Sequence, residues 1–396
     1  MTVITDEQKI NEVLNRGVEE IFVKDHLKEM LLSGKQLRIK FGIDPTGPKI
    51  HIGRAVALRK LRAFQDLGHQ IVLIVGDFTA RVGDASDKSE KRPMLTREQI
   101  DDNLREYKEQ LGKIIDMSKA EVRYNSEWLG ALDFNSIAEL AEHFSVQQML
   151  RRRNFSDRFE QGNEISLREF LYPLMQGYDS VAIKADVEIG GFDQLFNLQA
   201  GRVLQKAHHM NEQDIMTVQM IEGTDGRKMS TSWGNIITIV DEPNDMFGKI
   251  MSVRDDLVSK YLLLCTNIAE HEIAILGQNG NPMDTKKRLG RELVTLYHDA
   301  AAADAAQKNW EKTFSEGGIP DDIPTITVSA GSLLGDILTE HALVESKSDF
   351  RRLIDEGAIK IMTDTSEEKI TDYKHAVSDS IILKVGKKKF IKIHTS

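Results

Sequence analysis

The segment from residue 37 to 77 restricts the fold of this chain more than any other feature of the sequence. LRIKFGI (37–43) predicts a short strand, and an amphipathic helix from Gly53 to Leu67 follows, closed by Gly68. QIVLIVGD (70–77) is then a nearly all-apolar strand, as expected where a parallel sheet is covered on both faces. Strand, turn, helix and strand in this order form a βαβ unit.

The same alternation continues along the first 235 residues. Further strands are predicted at 121–125, 180–189 and 215–221, and residues 6–32 are predicted to form one helix. A long helix is expected after Thr96, which lies three residues before Gln99 in the spacing of a capping box. Alternating strands and helices predict an α/β fold with a doubly wound, Rossmann-type parallel sheet.

The pattern changes after Asn235, and three domains are predicted. Residues 1–235 form the Rossmann-type domain, and 236–325 form a helical domain that ends in a Gly- and Pro-rich linker. Residues 330–396 show two short helices followed by alternating strands, which predicts a small α+β domain.

Composition narrows the class of protein. No apolar stretch approaches the roughly 20 residues of a membrane span, and the N-terminus has no secretory signal layout. Cys265 is the only cysteine, which excludes internal disulfides and a cysteine-based metal cluster. We therefore expect no membrane association and a cytoplasmic location. The net charge of −10 means that any nucleic-acid contact must use local basic patches.

The block FGIDPTGPKIHIGR (41–54) has the features of an anion site. Asp44 and Thr46 lie in a turn directly after a strand, at the edge where open α/β sheets bind ligands. His51 and Gly53 stand at the start of the following helix, whose unpaired N–H groups and dipole attract anions. A tight strand-to-helix turn with a capping histidine is the alternative interpretation.

A second loop, GTDGRKMSTSWGN (223–235), is rich in glycine and hydroxyl groups and carries Lys228. A flexible cationic loop of this kind suits closure over a triphosphate. Alone it would be interpreted as a solvated surface turn. Two phosphate-suited loops at the two ends of one α/β domain favour a site for a nucleoside triphosphate.

The pair HIGR and KMSTS resembles the HIGH and KMSKS signatures of class I aminoacyl-tRNA synthetases. Between them, YPLMQGYDS (172–180) and GGFDQLFN (190–197) look like the amino-acid pocket of tyrosyl-tRNA synthetases, and SKSDFRRLIDEGAIKI (346–361) resembles their S4-type RNA-binding module. The resemblance covers essentially the whole chain, and Lys40 is similar to the lysine found at this position in a bacterial branch of that family.

This resemblance implies a two-step activity. ATP and L-tyrosine, with Mg²⁺ as cofactor, would give tyrosyl-adenylate and pyrophosphate, and the tyrosyl group would then pass to the terminal adenosine of tRNA(Tyr). It also implies a homodimer, with the apolar segment 136–150 as a candidate interface.

The tyrosine site combines spacing with resemblance. Tyr172, Gln176 and Asp179 follow i, i+4, i+7 spacing and so share one helical face. By resemblance, Asp179 accepts the phenolic hydroxyl, with Lys40 at the position where many relatives have a second partner. The remaining tyrosine-binding candidates contact the ammonium, the carboxylate or the tyrosine side of the pocket: Thr79, Asp84, Asn125 and Gln194.

The resemblance also implies the roles at the nucleotide. The expected ATP-binding residues are Asp44, Thr46, His51, Gly53, Gly191, Asp193 and Lys228, with Asp193 on the ribose. The expected catalytic residues, all acting on the phosphates, are His51, Arg54, Lys228 and Thr231. Weaker candidates for the departing pyrophosphate are Lys88, Lys91 and Arg92.

Two positions depart from the family signatures. Arg54 adds a cation where relatives have histidine, and Thr231 removes one where relatives have lysine. We hypothesise that the two changes compensate. A tryptophanyl enzyme and a catalytically inactive, RNA-binding relative are the alternatives. RNA contact is expected at three basic clusters: 151–153, 351–352 and 384–392.

Overall fold

The computed structural model describes residues 2–45, 49–83, 96–229, 233–279, 281–315, 323–341, 343–363, 367–386 and 389–395. The chain divides into two compact units, Met1–His298 and Asp299–Ser396. The predicted boundaries of three domains remain a prediction.

A six-stranded sheet forms the centre of the first unit. Its spatial order is β1-β6-β5-β2-β3-β4, with β1 antiparallel to β6 and the other pairs parallel. The strands are β1 (Val18–Phe22), β2 (Arg38–Ile43), β3 (Gln70–Val75), β4 (Glu121–Tyr124), β5 (Val187–Gly191) and β6 (Asp214–Val218). The prediction of a doubly wound parallel sheet is confirmed.

Helices surround this sheet and continue beyond it to the end of the unit. They are α1 (Glu7–Asn15), α2 (Lys24–Leu32), α3 (Ile52–Asp66), α4 (Thr79–Val82), α5 (Arg97–Gly112), α6 (Ser126–Leu129), α7 (Phe134–Glu142), α8 (Val146–Leu150), α9 (Arg153–Glu160), α10 (Leu167–Ile183), α11 (Leu195–Ala207), α12 (Pro243–Met251), α13 (Val258–Cys265), α14 (Glu270–Asn279) and α15 (Pro282–Tyr297). Short 3-10 turns are Phe192–Gln194 and Asp255–Leu257.

The prediction of one helix over residues 6–32 is wrong. Gly17 has a φ of 64°, and the chain then forms β1, in which Ile21 pairs with Met216 of β6. Val18 and Ile21 fit helical spacing, but they are also β-branched residues, which are favoured in strands. Edge pairing with β6 therefore overrides the local periodicity.

The interior of the sheet follows from its apolar strands. Residues 71–75 of β3 are all buried, as a strand covered on both faces requires. Helix α5 begins with the predicted capping box, in which Thr96 and Gln99 bond each other's backbone N–H groups. The segment 180–189 is only partly a strand, because α10 runs to Ile183 before β5 begins at Val187.

The strand order places a ligand site. The chain proceeds from β2 to β3 and β4 on one side, whereas β5 and β6 lie on the other side. Open α/β sheets bind ligands at such a switch point, beyond the carboxyl ends of the strands. Asp44 follows β2 and the Phe192–Gln194 turn follows β5, so both stand at this edge.

The second unit has a mixed sheet of order β10-β9-β12-β13-β7 and a small pair β11-β8. Its elements are α16 (Ala300–Trp310), a π-helical turn (Glu311–Ser315), β7 (Thr325–Val328), β8 (Ser332–Leu333), α17 (Leu334–Glu340), α18 (Lys347–Asp355), β9 (Ile359–Met362), β10 (Glu367–Lys369), β11 (Ala376–Val377), β12 (Ile381–Val385) and β13 (Lys389–Thr395). Residues such as Leu338, Ile359 and Leu383 form its own apolar core. Two helices followed by strands are found as predicted.

Within the described ranges, no helix has both the length and the apolar character needed to cross a membrane.

Candidate active site

A cavity of about 320 Å³ opens at the switch point of the sheet. Its size lies within the range of small-ligand sites, which is roughly 300–1,000 Å³. The predicted site residues that line it come from strand ends, helices and the turns between them: Asp44, His51, Gly53, Arg54, Thr79, Asn125, Tyr172, Gln176, Asp179, Gly191, Asp193, Gln194 and Lys228. Residues that are far apart in the chain thus surround one space, as the sequence predicts.

His51 caps the helix that bears the cationic end of the cavity. It precedes α3, and its Nδ1 accepts a hydrogen bond of 3.3 Å from the backbone N–H of Arg54. Burial, with the nearby Arg54 and Lys228, lowers the pKa of His51 to about 4. The imidazole is therefore neutral at pH 7. A Cβ on Gly53 would lie 3.0 Å from His51 Nδ1, so glycine permits this close packing.

Two cations face the same space. Arg54 is exposed and donates through its guanidinium to the hydroxyl of Tyr107, a buried residue of α5. Lys228 Nζ lies 3.4 Å from Asp193 Oδ2, which brings the second loop to the turn after β5. The arrangement gives this end of the cavity a neutral histidine and two positively charged side chains, which suits the binding of phosphates.

Asp44 is held in the cavity by hydrogen bonds from two other lining residues. Its Oδ1 accepts from Thr79 Oγ1 at 2.8 Å, and its Oδ2 accepts from the Tyr172 hydroxyl at 2.8 Å. Gly76 makes this approach possible, because a Cβ there would lie 1.9 Å from Asp44 Oδ1. A side chain at residue 76 is therefore incompatible with the observed position of Asp44.

Asp179 lies at the buried end of the cavity. It is 3% exposed, its Oδ1 accepts from Trp128 Nε1 at 2.8 Å, and Asn125 Nδ2 lies 3.5 Å from its Oδ2. Burial raises the pKa of Asp179 to about 7, while the Lys40 charge and these hydrogen bonds oppose the rise. A buried carboxyl with few partners can bind one polar group of a ligand.

Lys40, a predicted tyrosine-binding residue, lies behind the cavity and not in its lining. Lys40 is fully buried outside the cavity lining, and its Nζ lies 2.9 Å from Glu188 Oε1. It also donates to Gln176 O and Ser180 Oγ at 2.6 and 2.8 Å. The side chain therefore packs against α10 behind the cavity, which sequence spacing alone does not resolve.

Three residues that hold or admit predicted site residues were missed by the sequence analysis. Trp128 orients Asp179, Tyr107 contacts Arg54, and Gly76 admits Asp44. Of these, only Gly76 had a usable signal, since it follows the apolar residues of QIVLIVGD. Several predicted residues lie outside the described part of the chain: Thr46, Asp84, Lys88, Lys91, Arg92 and Thr231.

The basic clusters predicted to meet RNA differ in exposure. Arg151 is exposed, but Arg152 is 9% exposed and stacks on the rings of Phe155 and Phe196 at 5.0 and 4.8 Å. Arg152 is therefore a packing residue. In the second unit, Arg352 is exposed yet bonded to two carboxylates of its own helix region.

Among the described residues, no three His, Cys, Asp or Glu side chains lie close enough together to hold a metal ion. The carboxylates at the cavity, Asp44, Asp179 and Asp193, are instead bonded to protein donors.

The fold and the site together define a nucleotide-binding α/β protein with an adjoining pocket for a small polar ligand. Sequence comparison identifies the family to which this protein belongs. Residues 32–315 match the model of the tRNA synthetases class I (W and Y).

Curated relatives match over nearly the whole length. The chain is 45% identical to the tyrosine–tRNA ligase of Dehalococcoides mccartyi over 394 residues, covering 98% of both chains. It is 43% identical to the tyrosine–tRNA ligase of Thermotoga maritima, again with 98% of each covered. This chain therefore belongs to the class I tRNA synthetases of the tryptophan and tyrosine group.

Solved structures agree on the fold. The Archaeoglobus fulgidus tyrosyl-tRNA synthetase complexed with L-tyrosine matches 75% of this chain and 99% of its own, with a TM-score of 0.63 at 20% identity. A truncated mitochondrial tyrosyl-tRNA synthetase from Aspergillus nidulans matches 77% of this chain and 94% of its own, with a TM-score of 0.64 at 20% identity.

Proposed function

We propose that this chain is a tyrosine–tRNA ligase that activates L-tyrosine with ATP and transfers it to tRNA(Tyr). One observation carries the proposal: a single cavity joins the cationic end at His51, Arg54 and Lys228 to a buried carboxyl at Asp179. The full-length relatives that bear this name support the choice of amino acid.

Tyrosine would lie with its ring toward Asp179. Asp179 accepts the phenolic hydroxyl, and this acceptor is left unpaired when phenylalanine binds. Tyrosyl-tRNA synthetases are the standard example of this effect, with a discrimination of about 10⁵ against phenylalanine and no editing step. Tyr172, Gln176 and Thr79 contact the ammonium group, and Asp84 is proposed to join them.

ATP would occupy the other end, with its ribose at Asp193 and its phosphates at His51, Gly53, Arg54 and Lys228. Gly191 supports this placement, because a Cβ there would lie 2.6 Å from Asp193 Oδ1 and displace the carboxylate. Thr46 and Thr231 are proposed to add hydroxyl contacts to the phosphates.

The first step is an in-line attack. The tyrosine carboxylate forms a bond to the α-phosphorus of ATP, the bond to the bridging oxygen breaks, and pyrophosphate leaves. A carboxylate needs no general base, so the residues act by positioning and by stabilising charge. With a pKa of about 4, His51 donates as a neutral group, and the two cations carry the positive charge.

In the second step, the terminal adenosine hydroxyl of tRNA attacks the tyrosyl carbonyl, and AMP leaves. Asn125 and Gln194 line the cavity and are proposed to hold the tyrosine side and its carboxylate.

Mg²⁺ is proposed to enter with ATP. The described residues form no three-ligand cage. The phosphates of ATP and water molecules would therefore supply most of the oxygen ligands, as is common for Mg²⁺.

The protein is also proposed to be cytoplasmic and homodimeric. Phe134, just before the segment 136–150, is 86% exposed, and Val146, within it, is 58% exposed. These large apolar side chains support an interface there. Analytical ultracentrifugation of the wild type and of Val146→Glu tests this, and a monomeric wild type would contradict it.

The activity is tested by amino-acid-dependent exchange of pyrophosphate into ATP. Tyrosine should support exchange, whereas tryptophan and phenylalanine should not. Exchange with tryptophan would instead indicate the tryptophanyl enzyme, and exchange with none of the three would indicate a non-catalytic protein. Charging of total tRNA with labelled tyrosine tests the second step.

A further inference from the structure

A buried ion pair lies directly behind the cavity wall. Lys40 Nζ on β2 and Glu188 Oε1 on β5 are 2.9 Å apart, and their side chains are 0% and 1% exposed. A buried pair contributes little net stability by itself, since desolvation offsets the attraction. Its position is therefore more informative than its strength.

The ammonium of Lys40 binds one turn of α10 from behind. It donates to the carbonyl of Gln176 at 2.6 Å and to the hydroxyl of Ser180 at 2.8 Å. Asp179 lies between these two contacts in the sequence. Lys40 thus fixes the backbone of the turn that presents Asp179 to the cavity.

Glu188 holds the same turn through side chains. Its carboxylate accepts from Gln176 Nε2 at 3.1 Å and from Ser180 Oγ at 3.2 Å. It also accepts from Gln213 Nε2 at 2.5 Å, which ties it to the residue before β6. The amide of Gln176, which lines the cavity, is oriented by this carboxylate.

The pair also acts electrostatically on Asp179. After burial, which raises the pKa of Asp179, the Lys40 charge is the largest influence and lowers it, whereas Glu188 raises it by less. From the α6 region, Trp128 and Asn125 favour the anion through hydrogen bonds.

Among the residues that the structure describes, the other elements around this turn contribute no further charge that acts on Asp179. Helix α4 contributes Thr79, and α11 approaches through Ala200, whose carbonyl would lie 2.9 Å from a Cβ on Gly177. Lys40 and Glu188 are thus the charged groups packed against Asp179 in the described part of the chain.

We propose that the Lys40–Glu188 pair is the positioning element for amino-acid selection: it fixes the turn carrying Gln176 and Asp179, and its ammonium favours the ionised form of Asp179 that accepts the phenolic hydroxyl. Lys40 acts through Asp179 and does not contact the substrate. The inference rests on the proposed tyrosine-activating function and extends it.

Three variants test this: Lys40→Met, Glu188→Gln and the uncharged double variant. The kcat/KM for tyrosine in pyrophosphate exchange is measured from pH 5.5 to 9, because it reports the ionisation of the unliganded protein. Wild-type activity should rise with pH as Asp179 loses its proton. Lys40→Met should move this rise to higher pH, and Glu188→Gln should move it to lower pH.

The double variant controls for misfolding, because it removes both charges of the buried pair and leaves neither partner unpaired. Because Lys40 outweighs Glu188 at Asp179, its pH rise should still lie above that of the wild type. An upward shift of one unit from a pKa of about 7 reduces the ionised fraction of Asp179 at pH 7 about fivefold, so the double variant's KM for tyrosine should increase about fivefold, with KM for ATP little changed. Its preference for tyrosine over phenylalanine should fall.

Lys60→Met is the matched control. Lys60 is also a buried lysine of this unit, 7% exposed, and it donates to the carbonyls of Val13 and Arg16, away from the cavity. Its loss should lower stability without moving the pH rise or the preference for tyrosine. Equal pH profiles for wild type, Lys40→Met and the double variant would overturn the inference. No tyrosine-dependent exchange by the wild type would overturn the proposed function, and the inference with it.

Discussion

Asp179 is the residue on which amino-acid selection is proposed to depend. Burial raises its pKa to about 7 from 3.8, so near neutral pH a fraction of the molecules carry the proton. Only the ionised form accepts the phenolic hydroxyl without rearrangement. The proposed selectivity for tyrosine and the expected pH dependence of its activation therefore both arise from Asp179.

Asp179→Asn should lower the preference for tyrosine over phenylalanine by about 10- to 100-fold, since a hydrogen bond to a charged group contributes about 1.5–3 kcal/mol. The variant should also lose the rise of kcat/KM with pH near neutrality, because Asn does not titrate. Exchange assays with both amino acids measure each effect. An unchanged pH profile would assign the titration to another group.

Arg54 and Thr231 are the residues that distinguish this chain from its family signatures. Arg54 is at the cavity and contacts Tyr107, which supports a role at the phosphates. If its charge compensates for the lysine that Thr231 replaces, Arg54→Ala should reduce adenylate formation mainly through kcat. Arg54→His should recover activity only together with Thr231→Lys. A double-mutant cycle measures the coupling, and additive effects would contradict compensation.

Most of the predicted site residues that the structure describes line the cavity, because they belong to contiguous motifs. Asp44 and His51 lie in one block, and Tyr172, Gln176 and Asp179 lie on one helical face. Lys40 lies outside the cavity lining, and the sequence could not show this, because a motif position does not say to which face of a strand its side chain points. Trp128 was missed since its contact with Asp179 spans 51 residues and joins two separate elements.

At the scale of elements, long helices and apolar strands follow from local pattern, whereas edge pairing does not. Helix α5 has its capping box and β3 its buried run, and both agree with the prediction. Strand β1 forms because it pairs with β6, which lies far away in the chain. The sequence around β1 therefore does not predict a strand there.

Helices α9 and α10 are joined by a buried ion pair. Arg158 and Glu169, each 3% exposed, meet at 2.5 and 3.1 Å, and Glu169 also accepts from the backbone of Ser166 in a capping box. Breaking such a pair on one side leaves an uncompensated buried charge.

Arg158→Met should therefore lower the free energy of unfolding by about 3–5 kcal/mol. Adding Glu169→Gln, which keeps the cap but removes the charge, should recover part of this loss. Urea denaturation of both single variants and the double variant measures it. A double variant that loses the full sum of the two single effects would mean that the charges do not act as a pair.

At the scale of the whole molecule, the cavity belongs to the unit Met1–His298. The second unit has its own core and its own sheet. The two steps of the proposed reaction therefore have different structural requirements: adenylate formation uses the first unit, and tRNA binding is expected to use both.

A chain ending at residue 298 should keep tyrosine-dependent pyrophosphate exchange close to the full-length level and lose most tRNA charging. Circular dichroism controls for its folding. A folded fragment that charges tRNA as well as the full chain would remove the second unit from tRNA recognition.

If tyrosine and ATP bind together in this cavity, as proposed, the protein should retain the product of their reaction. The protein can be incubated with ATP, pyrophosphatase and a single amino acid, separated from small molecules by gel filtration, and its bound ligand identified by mass spectrometry. We expect tyrosyl-adenylate after incubation with tyrosine, and no adenylate after incubation with phenylalanine or tryptophan. Protein that carries no adenylate with tyrosine, or that carries one with tryptophan, would contradict the proposed activity.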